Sequence, residues 1–526
     1  MIRIRDLALS PDASQDALRR AALQTLGVSD VAVQSFTVRR RSVDARHKHD
    51  LKMIYTVDLA LTCGEATLVQ SLHNDKITRV TETPYAPTPL AAPSDFRPVV
   101  VGFGPAGMFA ALVLAECGLR PIVLERGEDV QTRTEKVEAF WNGGKLDPES
   151  IVQFGEGGAG TFSDGKLNTG VNDPRIAWIL SRFVEFGASA DILIDARPHV
   201  GTDVLKTVVG NLRKRVLALG GEIRFGTRLT GLRMENGRIA AAETADGDIA
   251  CDALVLAVGH SARDTFEMLH TLGVPMQPKP FSMGVRIEHR QDAIDKAQYG
   301  AAHGETHLPA AEYRLNVRFP DGESAYTFCM CPGGYVVASA SEEGGVVTNG
   351  MSNAARDGEN ANSALLVTLT PDDFPDKSTL GGMYFQRELE RRAFAVSGDY
   401  RAPAQTVGAF LGGNAEPGVA PTYRPGVVWC DLHDVLPKKI TRTLERALPA
   451  LGKKLRGFDN GGAVMTAPET RSSSPVRIVR GDDLQSAIRG LFPCGEGAGY
   501  AGGITSAALD GIRVAEAILE LAKMHR

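Results

Sequence analysis

The 526-residue sequence predicts an α/β protein in which a Rossmann-like nucleotide-binding domain is joined to two α+β domains. Three observations support this class. An apolar strand, a glycine-rich turn and an apolar helix follow one another between Pro98 and Leu119, as in a nucleotide-binding βαβ unit. Prolines concentrated in residues 82–98 predict a stiff linker after a small first domain. Strand-like segments dominate residues 281–457, which predicts a β-rich insertion.

Composition places few limits on function. Hydrophobic residues make up 43% of the chain and charged residues 23%, enough for two or three domains with cores of their own. The net charge of -5 gives the whole molecule no strong attraction to nucleic acid or to an anionic membrane. Seven scattered cysteines without a Cys-x-x-Cys motif predict neither a disulfide framework nor a metal site. With no signal peptide and no membrane helix expected, the sequence predicts a cytoplasmic protein.

The first 83 residues predict a small α+β domain with the order βαββ. A strand at Ile2 to Ile4 precedes a helical pattern that stops at Gly27, and strands follow at Val31 to Val38 and Met53 to Leu61. Residues 39–52, between the last two strands, are rich in Lys, Arg and His. They form either a solvated hairpin or a docking surface for RNA or a protein partner.

The first glycine motif has the features of a dinucleotide fingerprint. Gly102 allows a tight turn, Gly104 lets the backbone approach a pyrophosphate, and Gly107 permits close packing of helix on strand. Pro105, followed by Ala106, suits the first turn of a helix whose free N–H groups attract phosphate. Glu125, which precedes Arg126, lies 18 residues after Gly107 at a strand end, where it can accept from both ribose hydroxyls.

Two later segments resemble the FAD-binding domain of glutathione-reductase-like proteins. In "GTRLTGLRMENGRIAAAETADGDIACDALVLAVG", the resemblance places Thr227 to Leu229 against adenine and Gly259 near the flavin. In "GLFPCGEGAGYAGGITSAALDG", it implies that Glu496 binds a ribityl hydroxyl. The closing helix, starting near Gly503 and Ile504, would then stabilise negative charge on the flavin.

A second fingerprint runs from Gly155 to Gly160 and allows two interpretations of how nucleotides bind. It could bind a separate NAD(P)H, or it could hold the same FAD a second time. The polar run "TFSDGKLNTGVNDP" follows it instead of an apolar helix, which favours a single nucleotide. The run resembles a flavin-wrapping loop of succinate dehydrogenase-like proteins, which implies backbone contact at Gly158 and polar contacts from Ser163, Lys166 and Asn168. A surface glycine loop is the remaining alternative.

Candidate catalytic groups lie in the later part of the chain. Arg286 and Glu288 alternate onto one face of a strand, where they could clamp and protonate a substrate or form a structural salt bridge. Arg471, just before the C-terminal flavin-like segment, could reach the substrate side of the ring. Cys329 and Cys331 could form a redox pair, supply one active-site thiol, or pack in the interior.

Nearly the whole sequence is similar to a bacterial family of uncharacterised FAD-dependent dehydrogenases, through segments such as "KPFSMGVRIEHRQDAIDKAQYG" and "ETRSSSPVRIVR". The resemblance implies FAD as the cofactor but does not identify the reaction. Because no His or Cys lies in a recognisable flavinylation motif, we expect the FAD to be non-covalent. We expect a dehydrogenase or reductase that transfers hydride at flavin N5 to or from an unidentified small molecule, with NAD(P)H as a possible transient donor. The alternative is a flavoprotein that acts on RNA or docks a protein through its basic segment. The predicted domain arrangement is a sequence of five segments: 1–83 (N-terminal α+β domain), 84–98 (linker), 99–280 (first part of the FAD-binding domain), 281–457 (β-rich substrate or cap domain) and 458–526 (C-terminal part of the FAD-binding domain).

Overall fold

The computed structural model describes residues 1–62 and 64–524, so Cys63, one of the seven scattered cysteines, lies outside the described residues. The first domain is a four-stranded antiparallel sheet in the order β2-β3-β1-β4 with two helices. Its elements are β1 (Ile2–Leu9), α1 (Gln15–Leu26), β2 (Val33–Asp44), β3 (Lys52–Leu61), α2 (Glu65–Leu72) and β4 (Ile77–Arg79). The structure adds α2 and β4 to the predicted βαββ order, because both are too short to give a clear periodic pattern.

The segment after the linker alternates short buried strands with helices and contains one antiparallel meander. Its elements are β5 (Val99–Val101), α3 (Pro105–Glu116), β6 (Ile122–Leu124), α4 (Val130–Trp141), α5 (Arg175–Glu185), α6 (Thr202–Ala218), β7 (Glu222–Arg224), β8 (Leu229–Glu235), β9 (Arg238–Thr244), β10 (Gly247–Ala250), β11 (Leu254–Leu256) and α7 (Arg263–Thr271).

The inserted segment is dominated by longer strands, and a final strand and helix return to the first sheet. The elements are β12 (Met276–Pro278), β13 (Phe281–Arg290), α8 (Gln291–Tyr299), β14 (Asn316–Arg318), β15 (Ser324–Cys331), β16 (Tyr335–Ala338), β17 (Thr348–Met351), β18 (Asn360–Leu369), α9 (Gly381–Ser397), β19 (Ala402–Thr406), α10 (Val407–Phe410), β20 (Val427–Trp429), α11 (Leu432–Val435), α12 (Lys438–Gly452), β21 (Val464–Glu469), β22 (Val476–Ile478), β23 (Leu491–Pro493) and α13 (Ile504–Met524).

A five-stranded parallel sheet, in the order β23-β11-β5-β6-β7, forms the centre of the molecule. Helices α3, α5, α6 and α13 contribute to the core on one face, and the meander β8-β9-β10 packs with α7 on the other. A side chain at Gly511 of α13 would lie 2.1 Å from the carbonyl oxygen of Ala106, so glycine is required where α13 meets α3. The α/β class predicted from the sequence is confirmed.

The inserted segment forms a seven-stranded mixed sheet in the order β14-β15-β18-β13-β21-β19-β20. Strand β13 pairs with β18 over its full length and with β21 on its other side. The predicted boundary at residues 457/458 therefore falls inside this domain, whose sheet extends to Glu469. Helices α8 and α12 pack against one face through apolar residues such as Ile294, Leu444 and Leu448.

The first domain contacts both other domains through its β2–β3 hairpin. Arg41 of β2 forms an ion pair with Asp195 and exchanges backbone hydrogen bonds with the segment around it. Leu51, at the other end of the hairpin, is buried in the apolar core of the inserted domain. Within residues 39–52, Arg39 and Arg46 also have carboxylate partners, so much of the basic segment is neutralised within the chain.

The predicted linker packs along the parallel-sheet domain. Tyr85 stacks edge-on against Trp178 with 5.8 Å between ring centroids, and its hydroxyl donates to Glu516 of α13 at 2.7 Å. Phe96 is buried in the same core. Among the described helices, none combines the length and the apolar character needed to cross a bilayer.

Candidate cofactor and active site

A cavity of about 780 Å³ lies between the carboxyl ends of the parallel strands and the inserted sheet. This volume falls in the range of about 300–1,000 Å³ typical of small-molecule and cofactor sites. Most of the predicted site residues line it: Gly102, Gly104, Pro105, Ala106, Glu125, Arg126, Gly158, Ser163, Lys166, Asn168, Leu229, Gly259, Arg471, Glu496, Gly503 and Ile504. Gly107, Arg286 and Glu288 do not line the cavity.

The first glycine motif forms a tight turn into helix α3. Gly102 has a φ of +94°, and a side chain there would lie 2.4 Å from the carbonyl oxygen of Ala257. Gly107 packs under this turn, since a side chain would lie 1.9 Å from the Gly102 oxygen. Among the described residues no side chain caps the first turn of α3, so its N–H groups and positive dipole end remain available to an anion.

The second glycine motif packs directly on the first. A side chain at Gly158 would lie 3.0 Å from the Cα atom of Gly104, and the Gly157 N–H donates to the Phe103 oxygen at 2.8 Å. Residues 158–162 form only a short 3-10 helix, and the next α-helix begins at Arg175. The second motif therefore lacks the strand–turn–helix unit of an independent nucleotide site, and both loops border one cavity.

Arg133 of α4 holds the second loop in place and was missed by sequence reasoning. Its guanidinium is fully buried and donates to the backbone oxygens of Ile151, Val152, Gly155, Glu156 and Gly158. Burial lowers the pKa of this arginine to about 10, so it stays charged at neutral pH. Because its partners lie about 20 residues away, no local pattern identifies the contact.

Glu125 uses most of its hydrogen-bonding capacity on the two loops. Its carboxylate accepts from the N–H groups of Phe103, Gly127 and Gly155 at 2.8–2.9 Å. A carboxylate has about four acceptor sites, so roughly one remains. The expectation that Glu125 accepts from both hydroxyls of a ribose is therefore reduced to one hydroxyl.

Arg126 and Leu229 lie at one end of the cavity. Arg126 is fixed by ion pairs to Glu149 and Asp264, and its guanidinium lies 4.1 Å from the ring centroid of Phe154. Leu229 is buried at the start of β8. This end offers an apolar wall and a fixed cationic plane, which suit a flat aromatic ring.

Glu496 and His260 meet where β11 and β23 end. The Glu496 carboxylate accepts from the Gly503 N–H at 3.2 Å and lies 3.4 Å from His260 Nδ1. Burial would raise the pKa of Glu496, but the bond and charge of His260 hold it below its ordinary value. The buried His260 Nε2 has no hydrogen-bond partner among residues 1–62 and 64–524. A polar ligand atom would satisfy it.

The loop after the second glycine motif places Lys166 over a buried ion cluster. Asp164 pairs with Lys166 at 2.8 Å and with Arg356, and these cations hold its pKa well below the usual range against the effect of burial. Ser163 uses its hydroxyl inside the loop, donating to Gly160 and accepting from Gly165. Asn168 is exposed at the cavity wall.

Two predicted catalytic residues do not reach the cavity surface. Arg286 is fully buried and bonds to Asn362, to Glu469 at 3.0 Å and to the Cys329 oxygen at 2.6 Å. Glu288 faces another loop, where Asn360 and Thr422 donate to it. The predicted clamp by Arg286 and Glu288 is thus corrected: their alternation places them on one side of β13, but each is enclosed by neighbouring strands and loops.

Glu469, not selected as a candidate acid or base from the sequence, lines the cavity beside Arg286. Burial raises its pKa to about 7, against the opposing effects of Arg286 and Thr348. A carboxyl group that is half ionised near neutral pH is suited to proton exchange. In the sequence, the "ETRSSS" segment indicates where Glu469 lies along the chain but does not indicate that it is buried.

Arg471 also lines the cavity, but its charge is compensated from behind. It donates to both oxygens of Glu390 at 2.7 and 2.9 Å, and Glu390 also pairs with Arg263. Within the described part of the chain, Arg471 Nη1 is buried without a partner. An acceptor on a bound molecule would satisfy it.

One protein of known sequence is similar along almost its full length. The chain is 45% identical to an uncharacterised protein of Clostridium beijerinckii (strain ATCC 51743 / NCIMB 8052), over 99% of this chain and 98% of that protein. The chain belongs to the same family as this clostridial protein. Residues 280–472 match the family model for the C-terminal domain of FAD-dependent proteins, and residues 1–60 match a domain of unknown function. The match over residues 280–472 supports the predicted FAD dependence at the level of this C-terminal domain.

Solved flavoprotein structures are only distantly similar. CtdE in complex with FAD is 12% identical, with 82% of this chain and 88% of that chain covered and a TM-score of 0.32. Glycine oxidase from Bacillus cereus ATCC 14579 is 12% identical, with 82% and 96% covered and a TM-score of 0.29. At these TM-scores the likeness carries no weight for the function of this chain.

The residues of the cavity fit FAD. The uncapped end of α3 and the two glycine loops are suited to bind phosphates. The remaining acceptor site of Glu125 is suited to accept a hydrogen bond from a ribose hydroxyl. The unpartnered Arg471 Nη1 is a donor, and the unpartnered His260 Nε2 a further polar atom, that polar atoms of a ligand would satisfy further along the cavity. No His or Cys lies in a recognisable motif for covalent flavin attachment.

Proposed function

We propose that the protein is an FAD-dependent oxidoreductase that transfers hydride between flavin N5 and a small molecule. The observation that carries the proposal is that both glycine loops, Glu496 and Glu469 border one continuous cavity. Bound FAD would supply the two-electron chemistry. The described residues then divide into a phosphate-binding end and a reaction end.

At the phosphate end, the N-terminus of α3 and the backbone around Gly158 hold the pyrophosphate, while Glu125 accepts from one ribose hydroxyl. At the other end, Glu496 accepts from a ribityl hydroxyl and Arg471 donates to a polar atom of the flavin or substrate. Glu469 takes or gives the proton that accompanies hydride transfer, since burial places its pKa near 7. FAD is held without a covalent bond.

The second glycine loop belongs to the FAD site in this proposal, so NAD(P)H, if it is the electron donor, binds only transiently. The packing of Gly158 on Gly104 supports this reading, because it leaves the loop no separate helix end for a second pyrophosphate.

Anaerobic reduction tests the proposal. The purified protein is mixed without oxygen with NADH, NADPH and a panel of small metabolites, and the loss of flavin absorbance is followed. A compound that bleaches the flavin is then used with deuterium at the carbon that loses hydride. A slower bleaching with deuterium is expected for hydride transfer. If the chemical step is shown to limit the rate, equal bleaching rates with the deuterated and undeuterated compounds would contradict hydride transfer. The FAD site would still stand.

A further inference from the structure

Cys329 and Cys331 lie in a distorted part of strand β15 at the cavity. Pairing of β15 with β18 is irregular between Phe328 and Cys331, and Cys329 has a φ of +43°, which is unusual for a residue with a side chain. Cys329 lines the cavity and Cys331 is buried behind it. Backbone strain of this kind is unfavourable and tends to persist at functional sites.

The two cysteines are close enough to interact. Cys331 Sγ lies 3.3 Å from the backbone oxygen of Cys329, and the two thiols are within hydrogen-bonding reach. In a regular strand the Cβ atoms of residues i and i+2 would be too far apart for a disulfide, so the closeness of these two thiols depends on the irregular pairing and on the positive φ of Cys329. Both cysteines are free thiols in this structure.

Two buried cations distinguish the cysteines from each other. Arg286 donates to the Cys329 oxygen and lies 3.4 Å from Cys331 Sγ, while Lys166 donates to the backbone oxygen of Met330 between them. The pKa of Cys329 is lowered by the bond from Cys331 and by Arg286 and Lys166, against the effect of burial. The pKa of Cys331 is raised by Cys329 and by burial. One thiolate beside one thiol is the state that thiol–disulfide chemistry starts from.

The other described cysteines lack this environment. Cys494 also lines the cavity, but burial and the charge of Asp510 raise its pKa. Cys117 and Cys251 are buried away from the cavity, and burial raises the pKa of each. Cys430 is half-buried elsewhere in the inserted domain.

We propose that Cys329 and Cys331 are a redox-active dithiol that exchanges two electrons with FAD bound in the cavity. The inference rests on the proposed FAD site. In the oxidising direction an S–S bond forms between Cys329 and Cys331, the S–H bond of Cys331 breaks, and two electrons and that proton pass to the flavin. The disulfide and the reduced flavin together conserve every atom, charge and electron of the thiolate, thiol and oxidised flavin. In the reverse direction the reduced flavin opens the disulfide.

Electron counting tests the pair. The oxidised protein with its FAD is titrated anaerobically with dithionite, and electrons taken up per FAD are measured. We expect about four for the native protein, two for FAD and two for a disulfide, because a dithiol is a two-electron couple. Cys329→Ser and Cys331→Ser should each take up about two. Cys430→Ser, which removes a thiol of the same domain away from the cavity, should still take up about four.

Thiol counting separates this inference from the cofactor assignment. After oxidation with diamide and denaturation, the native protein should show two fewer thiols with Ellman's reagent than after reduction, and the two Cys→Ser variants should not show this difference. Uptake of about two electrons by native protein that contains FAD would overturn the dithiol and leave the FAD site standing. Absence of FAD would overturn the proposed function, and the thiol count would then decide the pair alone.

Discussion

At the cavity, single residues act mainly because they leave space for a neighbouring loop or because they are buried with a charged partner. Gly158 has no side chain where one would press on Gly104, so two loops distant in sequence from each other form one wall. Glu469 and Arg286 are buried together, and burial brings the pKa of Glu469 into the neutral range. Motif reasoning finds the glycines because their spacing is local. It does not find the altered carboxyl group, because burial depends on strands from distant parts of the chain.

Replacing Gly158 with valine should weaken FAD binding by at least about tenfold, or about 1.4 kcal/mol. The residue has a φ of +59°, which a β-branched side chain tolerates poorly, and the new side chain would lie against Gly104. Flavin dissociation constants of the purified variant measure the effect. Gly237→Val is the control, since Gly237 has a φ of +72° but open space around it and does not line the cavity. Full FAD retention in Gly158→Val would contradict a shared site.

Replacing Glu469 with glutamine should remove an ionisation from the pH profile of flavin reduction. Because the pKa of Glu469 is raised to about 7, the protonated form predominates below this pH and is lost above it. A step that needs its proton therefore slows as the pH rises through about 7, whereas a step that needs the base accelerates. Either transition should be absent in Glu469→Gln at any pH. The same transition in native and variant proteins would assign it to another group.

At the scale of elements, loops and strand distortions position the chemistry. Helix α4 supplies Arg133, whose five donations fold residues 151–158 against the first glycine loop. Strand β13 shows the alternation expected from its sequence, and yet Arg286 and Glu288 are enclosed by β18, β21 and the loop at Thr422. The irregular pairing of β15 at Cys329 was not predicted either. Periodicity indicates which residues share a face but not what covers that face.

Replacing Arg133 with methionine should destabilise the loop and release FAD. Methionine fills part of the volume but leaves five backbone oxygens without their charged donor, at a cost of at least about 3 kcal/mol. Thermal unfolding and FAD content measure the two effects. Lys136→Met on the same helix is the control, because Lys136 pairs with Glu128 and Asp147 at a partly exposed position and should matter little. Equal effects of both substitutions would show that helix α4, and not the buried guanidinium, is responsible.

At the scale of the whole molecule, the sequence indicated the class and the presence of an insertion but not how the parts contact one another. The β2–β3 hairpin docks on both other domains, and the linker packs on the parallel-sheet domain through Tyr85 and Phe96. These contacts join positions far apart in sequence, such as Arg41 with Asp195 and Leu51 with the inserted core. The proline content of the linker predicted a break in regular structure. How the linker packs could not be predicted without the tertiary structure.

Deleting residues 1–83 should lower the melting temperature by about 5 °C or more without removing FAD. The deletion removes Leu51 and uncovers the apolar surface of the inserted domain against which it packs, which explains the lower stability, but no described residue before Val101 lines the cavity. Thermal unfolding and flavin content of the truncated protein test both parts. Arg41→Ala in the full chain should give a smaller loss of stability with full FAD. Loss of FAD from truncated protein that remains folded would make the first domain part of the cofactor site.

We propose that two glycine loops hold one FAD. The most direct test of this proposal is to precipitate the purified protein with acid and to identify and quantify the released nucleotide by chromatography against FAD, FMN, NAD and NADP standards. We expect close to one FAD per chain, released without proteolysis, and no stoichiometric second nucleotide. Release of FMN, of NAD alone, or of FAD together with an equal amount of NAD(P) would contradict it.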